Sequence, residues 1–425
     1  MPWNLGTEAK QLTLRVAKTI PEVEELKDTW KLWCEDPNAD IDYFLASARC
    51  RTDFVRPHVM VVYRDGQPDC MLIGRLEHTS LSLNAGYTTL FRPRVRRLFF
   101  VQGGFLGNQS QQNSAFLVQG IMSCLQHGEA DTAEFLRLRE DSSLYCASRE
   151  KASFLRRGHG MPVHEHRSVR LPDSFDAFLH GLSRKNRHEL RRHEKKLTAD
   201  FAGQMRIHCY RKEEELGDLA REVNKVSETT YQRAIGVGFK TDVETLESLR
   251  IAARRGGLRG CVLYLADRPC AFFIGNQYKS TFHGNFMGFD SRFSKYSPGL
   301  YILMHSIEEC FEPGHRATQL DLGWGDRQYK RAFCNQMWKD GPVYLYAFSF
   351  KGLKLNLLRS GTSLIDLWAR KLLLKSALLQ KFRKRWLHWR QKSRGSSPQG
   401  AGCEDDGGEC DCGVTPSTPS QEYLG

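Results

Sequence analysis

Four places in the sequence combine residue types that could do chemistry. The stretch "SRKNRHELRRHEKKL", Ser183 to Leu197, holds seven lysines and arginines and two histidines in fifteen residues, with Glu189 and Glu194 as its only acids. Two acids are too few to neutralise it through i,i+4 pairs, so an anionic ligand is expected there beside the plainer reading of a solvated helix face. Further on, "RFSKYSPGLYILMHSIEECFEPG" turns through Ser297, Pro298, Gly299 and Leu300 into a helix. Free N–H groups and the dipole at such a terminus suit an anion, although Pro near N1 is also an ordinary start signal. Next, "TQLDLGWGDRQYKRAF" gathers Asp321, Gly323, Gly325, Tyr329 and Lys330 just past a strand. Strand C-terminal ends are where α/β sites usually sit. Finally, "HGMPVHEH" offers His159, His164 and His166, but no carboxylate or cysteine stands at ligand spacing, so a solvent-facing strand end is expected and no metal.

The elements that must position these residues follow from periodicity and turn signals. Between Leu12 and Ser148 the reading is strand "LTLRVA", a helix opened by Pro21, a second helix "IDYFLASARC", and a hairpin about Asp65-Gly66. Strand "RRLFFVQGG" and helix "NSAFLVQGIMSCLQHG" come next. From His164 to Tyr346 the order is strand "HRSVRL", the basic helix or two abutting ones, and two more helices. A three-strand meander over "GCVLYLADRPCAFFIGNQYKSTFHGNFMGFD", the helix after Pro298 and strand "ATQLDLG" complete it. Both halves follow helices with a meander, which suggests an old duplication.

A chain of 425 residues, 40% hydrophobic, fits two globular domains rather than one core or a disordered polymer. The net charge of +13 favours an anionic partner. Thirteen scattered cysteines without a C-x-x-C pair argue against a disulfide framework or a structural zinc, and no apolar run resembles a signal peptide or a membrane span. A cytoplasmic address is expected. The segment 351–392, with Trp368, Trp386 and Trp389 among basic residues, reads as amphipathic helices packed on the second domain or seated peripherally on the inner membrane surface. Residues 393–425 read as a disordered tail.

The series of basic helix, meander, "SPGLYILMHSIEECFEPG" and "LDLGWGDRQYKRAF" resembles the GNAT acyltransferase superfamily. More narrowly, it is similar to the branch that accompanies cellulose and exopolysaccharide biosynthesis, itself related to the Fem peptidyltransferases. The ordinary Gln/Arg-x-x-Gly-x-Gly/Ala loop is replaced here by "RFSKYSPG". The resemblance implies an α/β (α+β) fold of two tandem GNAT-like domains with mixed, mostly antiparallel sheets, over residues 1–150 and 151–350, followed by C-terminal basic helices. It implies an N-acyltransferase using acetyl-CoA or another acyl-CoA, with an amine of an amino sugar or a cell-envelope or polysaccharide precursor as acceptor. In that scheme Ser297, Pro298, Gly299 and Leu300 take the donor's pyrophosphate, Tyr329 is the acid toward sulfur, Asp321 the base with His283 its rival, and Lys330 a steering charge. Lys185, Arg187 and Arg191, in the match to "Leu-Ser-x-Lys-x-Arg" and the turn after it, line the cleft for an anionic small-molecule, lipid-linked or nucleotide-linked substrate. Each has a plainer reading: Asp321 as a turn cap, Tyr329 as a half-buried aromatic, Lys330 as solvated surface, His283 as a cross-strand histidine. Two other functions stay open. One is a Fem-like transferase drawing on aminoacyl-tRNA, the only case in which a specific nucleic acid is expected. The other is a non-catalytic binder of an anionic surface, against which the basic stretch lacks interleaved aromatics.

Overall fold

The computed structural model describes residues 12–85, 88–228, 239–314, 316–325 and 327–375. The first half runs β1 (Leu12–Ala17), α1 (Ile20–Glu25), α2 (Lys27–Trp33), α3 (Ile41–Cys50), β2 (Phe54–Pro57), β3 (Val59–Arg64), β4 (Gln67–Ser80), β5 (Leu83–Ala85), β6 (Thr88–Phe91), β7 (Arg94–Gly107), α4 (Gln111–Gln126), β8 (Thr132–Arg139) and α5 (Ser143–Lys151). The second runs β9 (His164–Arg170), α6 (Phe175–Gly181), α7 (Arg184–Asp200), β10 (Met205–Tyr210), α8 (Leu216–Ser227), α9 (Val243–Arg254), β11 (Leu258–Leu265), β12 (Arg268–Tyr278), β13 (Thr281–Phe289), α10 (Pro298–Glu309), β14 (Gln319–Trp324), α11 (Gln328–Phe333), β15 (Gln336–Tyr346) and α12 (Phe350–Lys375).

Local chemistry explains most of these boundaries. Asp65 and Gly66, both with positive φ, make the β3–β4 turn. Thr19 and Glu22 close a capping box at α1, and the chain breaks at Leu26 to give two helices where the sequence suggests one. Asp242, rather than the neighbouring Thr241, caps α9 by accepting from the Thr245 N–H.

Both halves share a plan. Meanders β3–β4–β7 and β11–β12–β13 are antiparallel, and each ends in a parallel pair, β7 with β8 and β13 with β14, joined through α4 and α10. The sheet is continuous, in the order β1-β3-β4-β7-β8-β15-β9-β14-β13-β12-β11-β10, with β2 added on β4. The closing strands are exchanged: β9, which follows β8 and α5, pairs with β14, while β15, which follows β14 and α11, pairs with β8. The two also pair with each other and weld the halves. A division at residue 150 therefore describes chain order but not the sheet.

Each half buries apolar clusters on both sheet faces. Phe100 stacks on Phe135 in the first half, and Leu197 of α7 joins Phe282, Ile302 and Leu320 in the second. Helix α12 does not lie on the second domain's core. It packs on β15, β5 and the 3-10 turn Phe154–Arg156, Arg359 pairs with Glu134 of β8, and Trp368 stays exposed. Cys209 and Cys261, opposite each other on β10 and β11, form a disulfide, which the scattered spacing of cysteines does not announce. Residues 376–425, including Trp386, Trp389 and the expected tail, lie outside the described residues.

Candidate functional site

Strands β13 and β14 pair only at Thr281↔Gln319, Phe282↔Leu320 and His283↔Asp321, although β13 continues to Phe289 and β14 to Trp324. Beyond His283 and Asp321 the two diverge, leaving an opening at the centre of the sheet. In β14, Leu320 and Leu322 point into the core beneath α10, so the alternation of the strand turns Asp321 to the opposite face. There it meets His166 of the exchanged strand β9, which in turn reaches β15.

His166 of β9 is buried between two carboxylates, with Nε2 at 2.7 Å from Asp321 Oδ1 and Nδ1 at 2.7 Å from Asp340 Oδ2 of β15. Trp338 stacks on the imidazole at 4.3 Å. Burial alone would lower the His166 pKa, but the hydrogen bonds to Asp321 and Asp340 and their charges outweigh it and raise it to about 9. Burial in turn would raise Asp321, yet His166 and His283 hold its carboxyl well below the usual carboxylate range. Asp321 also accepts from the Gly323 N–H at 2.6 Å, the turn-capping role its position suggested, and Gly323 there adopts a φ of +69°.

A carboxylate so strongly stabilised in its charged form is a poor proton acceptor, which tells against Asp321 as the base. His283 is better placed. Its Nδ1 lies 3.7 Å from Asp321 Oδ2, and its buried Nε2 has no hydrogen-bond partner among the described residues. The ring also lines a small pocket open to solvent between the halves, beside Asn38, Ser248, Asn276, Gln277, Tyr278 and Asn285. Asp36, on the turn between α2 and α3, belongs to the same field: burial raises its pKa while the charge of His283 lowers it.

Lys330 is buried, not a surface charge that could steer a ligand. Its Nζ donates to the carbonyls of Trp324 at 2.8 Å and Gly323 at 3.3 Å, and burial, opposed by the Asp321 charge, lowers its pKa to about 8. It holds the end of β14. Tyr329, its neighbour on α11, is half-buried and packs on the second half's core. At the α10 terminus Ser297 is left-handed (φ 52°) and its carbonyl accepts from the Leu300 and Tyr301 N–H groups. Pro298 and Gly299 are buried, and a Cβ on Gly299 would meet the Phe289 ring at 3.0 Å. That ring, 39% exposed, lies against the terminus.

Helix α7 packs against α10, and Asn186 seats its first turn beside α11 by donating to the Ala332 carbonyl at 3.1 Å. The Arg187 guanidinium donates to the carbonyls of His180 and Leu182 at 2.7 and 2.6 Å, so it closes the C-terminus of α6 instead of lining a cleft. Lys185 and Arg191 are exposed.

The structure thus unites Asp321 and His283, sets Lys330 behind them, and adds His166, Asp340 and Asp36. His166 was visible in the His-x-His pair, but its expected place at a wet strand end is wrong, because β15 lies alongside and covers it. No local signal marks Asp340 or Asp36.

Residues 184–331 match the family model described as Acetyltransferase (GNAT) domain. The chain carries a GNAT-type acetyltransferase domain. No curated protein matches the sequence. Among solved structures, FemX superposes with a TM-score of 0.51 at 11% identity, covering 76% of this chain and 95% of that one. The C-terminal domain of a putative lysylphosphatidylglycerol synthetase from Agrobacterium fabrum gives 0.46 at 12% identity, over 80% and 96%. A tandem GNAT protein from the clavulanic acid biosynthesis pathway gives 0.46 at 8%, over 80% and 99%. At such identity the FemX likeness speaks for the fold alone. The domain match makes acyl transfer to an amine the general chemistry of the site. None of the helices among the described residues is long and apolar enough to cross a membrane.

Proposed function

We propose that this N-acyltransferase takes its acyl group from acetyl-CoA or a related acyl-CoA and delivers it to the amine of a hydroxyl-rich acceptor, an amino sugar or a polysaccharide or envelope precursor. The observation that carries the reading is His283, whose unpartnered Nε2 stands at the mouth of the β13–β14 opening with Asp321 behind its other nitrogen. In this reading Nε2 takes the proton from the acceptor's ammonium, and Asp321, beside the other ring nitrogen, orients the imidazole. The amine nitrogen attacks the thioester carbonyl and the C–S bond breaks. The departing thiolate takes a proton from the Tyr329 hydroxyl. Backbone N–H groups of β13 freed by the divergence from β14 stabilise the carbonyl oxygen. The α10 terminus takes the diphosphate once Phe289 moves, and the exposed Lys185 and Arg191 add positive charge on the α7 side.

The acceptor class rests on the pocket lining. Amides of Asn38, Asn276, Gln277 and Asn285 and the Ser248 hydroxyl offer paired donors and acceptors, and Tyr278 adds an aromatic edge, a lining that suits sugar hydroxyls better than an apolar amine. The test is a turnover assay of the full chain with acetyl-CoA against a panel of amino sugars, polyamines and peptides, with thiol release as the readout. Acetylated hexosamine as the preferred product supports the reading. Turnover with aminoacyl-tRNA and none with any CoA thioester overturns the donor, and preference for peptides or polyamines overturns the acceptor.

A further inference from the structure

On the sheet face opposite the His166–Asp321 cluster, four side chains from three elements converge. Cys209 and Cys261 face each other across β10 and β11, and His305 and Glu309, one turn apart on α10, lie over them. One donor atom from each falls within 4.8 Å of all the others. We propose that, with the two cysteines reduced, these residues form a structural site for a borderline-soft divalent cation of the zinc type.

The geometry is close to what such an ion asks. Zinc–ligand bonds of roughly 2.0–2.3 Å set at tetrahedral angles place ligand atoms about 3.3–3.8 Å apart. Here Cys209 Sγ lies 3.8 Å from His305 Nε2, Cys261 Sγ lies 3.7 Å from Glu309 Oε2, and His305 Nε2 lies 3.9 Å from Glu309 Oε1. The two sulfurs, bonded to each other here, must part to bind the ion. Their Cα atoms sit 4.1 Å apart, the spacing of a cross-strand pair and just under the roughly 4.4–6.8 Å usual for disulfides. Two thiolates, one imidazole and one carboxylate select zinc over calcium or magnesium, which prefer all-oxygen shells.

The surroundings fit as well. Two thiolates and a carboxylate around a divalent ion leave one net negative charge. Arg211 donates to Glu309 Oε1 at 2.6 Å, and the buried Arg259 lies within the same charge field, so the excess is balanced and the carboxylate is oriented from outside. Four protein donors leave no open position for substrate, which makes the site structural. Its place is mechanical: it would fasten the C-terminal turn of α10 to β10 and β11, while the N-terminal turn of the same helix sits beside the β13–β14 opening. Sequence spacing cannot announce it, since the ligands come from positions 209, 261, 305 and 309 and meet only through the fold, and no metal was expected.

The experiment uses the full chain reduced with a phosphine and exchanged into metal-free buffer. Zinc ion alone is added, and binding is followed by competition with a chromogenic chelator, with cobalt ion as a second probe. Wild type should hold one equivalent more than Cys209→Ser or Cys261→Ser and show a thiolate-to-cobalt charge-transfer band that both variants lose. His305→Gln, a partly exposed position, should weaken affinity by at least the tenfold to hundredfold that even outer partners of metal sites are worth. Zinc should raise the melting temperature of the wild type and not of His305→Gln. Equal metal content in wild type and both serine variants, or no uptake by fully reduced protein, would overturn the site and leave the pair as a disulfide only.

Discussion

The His166 triad makes a prediction about stability against pH. An unfolded histidine titrates near 6.5, whereas His166 in the folded chain is held up to about 9 by Asp321 and Asp340 against the cost of its burial. A group whose folded pKa lies above its unfolded value contributes stability that is complete below pH 6.5 and disappears as the pH climbs through 9. At 1.36 kcal/mol per unit, a shift of that size is worth about 3 kcal/mol. Lys330 works in the opposite sense. Burial brings its pKa down to about 8, so its penalty is complete below pH 8, where the ammonium must be kept buried, and stability recovers between pH 8 and the unfolded lysine value. The total profile is therefore a poor readout, and a difference profile is needed. Urea midpoints measured from pH 6 to 10 for wild type and His166→Gln should differ most at pH 6, and the gap should close by about 3 kcal/mol by pH 10. Curves that run parallel across the window would mean that His166 is neutral in the folded chain, and the electrostatic account of the triad would fail.

Other expectations attach to single side chains. His283→Gln should cut turnover by roughly a hundredfold to ten-thousandfold, the usual worth of a general base, with donor KM nearly unchanged and the residual rate rising with pH as more acceptor amine is free; equal loss in both constants would make His283 a binding residue. Tyr329→Phe should lower kcat far more than it alters donor affinity, and steady-state kinetics would separate the two. Trp30 is fully buried and its indole N–H donates to the Ala39 carbonyl at 2.7 Å, so Trp30→Ala should cost about 3–5 kcal/mol in denaturant unfolding. Because that bond also fastens the turn carrying Asp36, the same variant should lose activity at temperatures where it remains folded.

How much of this was legible depended on how local each signal was. The Asp65-Gly66 hairpin, the meander and the helix after Pro298 follow from turn chemistry and periodicity, and they appear in the fold where those signals put them. Asp321 and His283 could be singled out from sequence because glycines, a tyrosine and a lysine cluster near one and a strand surrounds the other. Their order of roles could not, since the depressed pKa that disqualifies Asp321 as a base comes from His166, 155 residues away along the chain. Lys330 looked solvent-bound because a lysine in "RQYKR" usually is; it is the carbonyls of Gly323 and Trp324, turned inward by the left-handed glycine, that draw it into the interior. Arg187 was read as a ligand for anions and turned out to serve a helix terminus, a use to which any arginine one turn along can be put.

The exchange of β9 and β15 accounts for why the site was harder to read than the fold. In a half that kept its own closing strand, Asp321 would face residues from the same half, close in sequence. Here β9 arrives from the first half and brings His166, while β15 crosses between β8 and β9 and brings Asp340 and Trp338. The first half closes its own parallel pair differently. Arg137 of β8 donates to Gln102 of β7 across the gap at 2.9 Å, and the loop bearing Asp36 presses so closely on Gly103 that a Cβ there would lie 2.4 Å from the Asp36 Cβ. That opening is plugged, and the loop that plugs it lends its carboxylate to the second half's site. In the proposed reading, one half closes its own gap and helps complete the other's site, so the groups assigned to the reaction are drawn from the joined sheet and not from one domain alone.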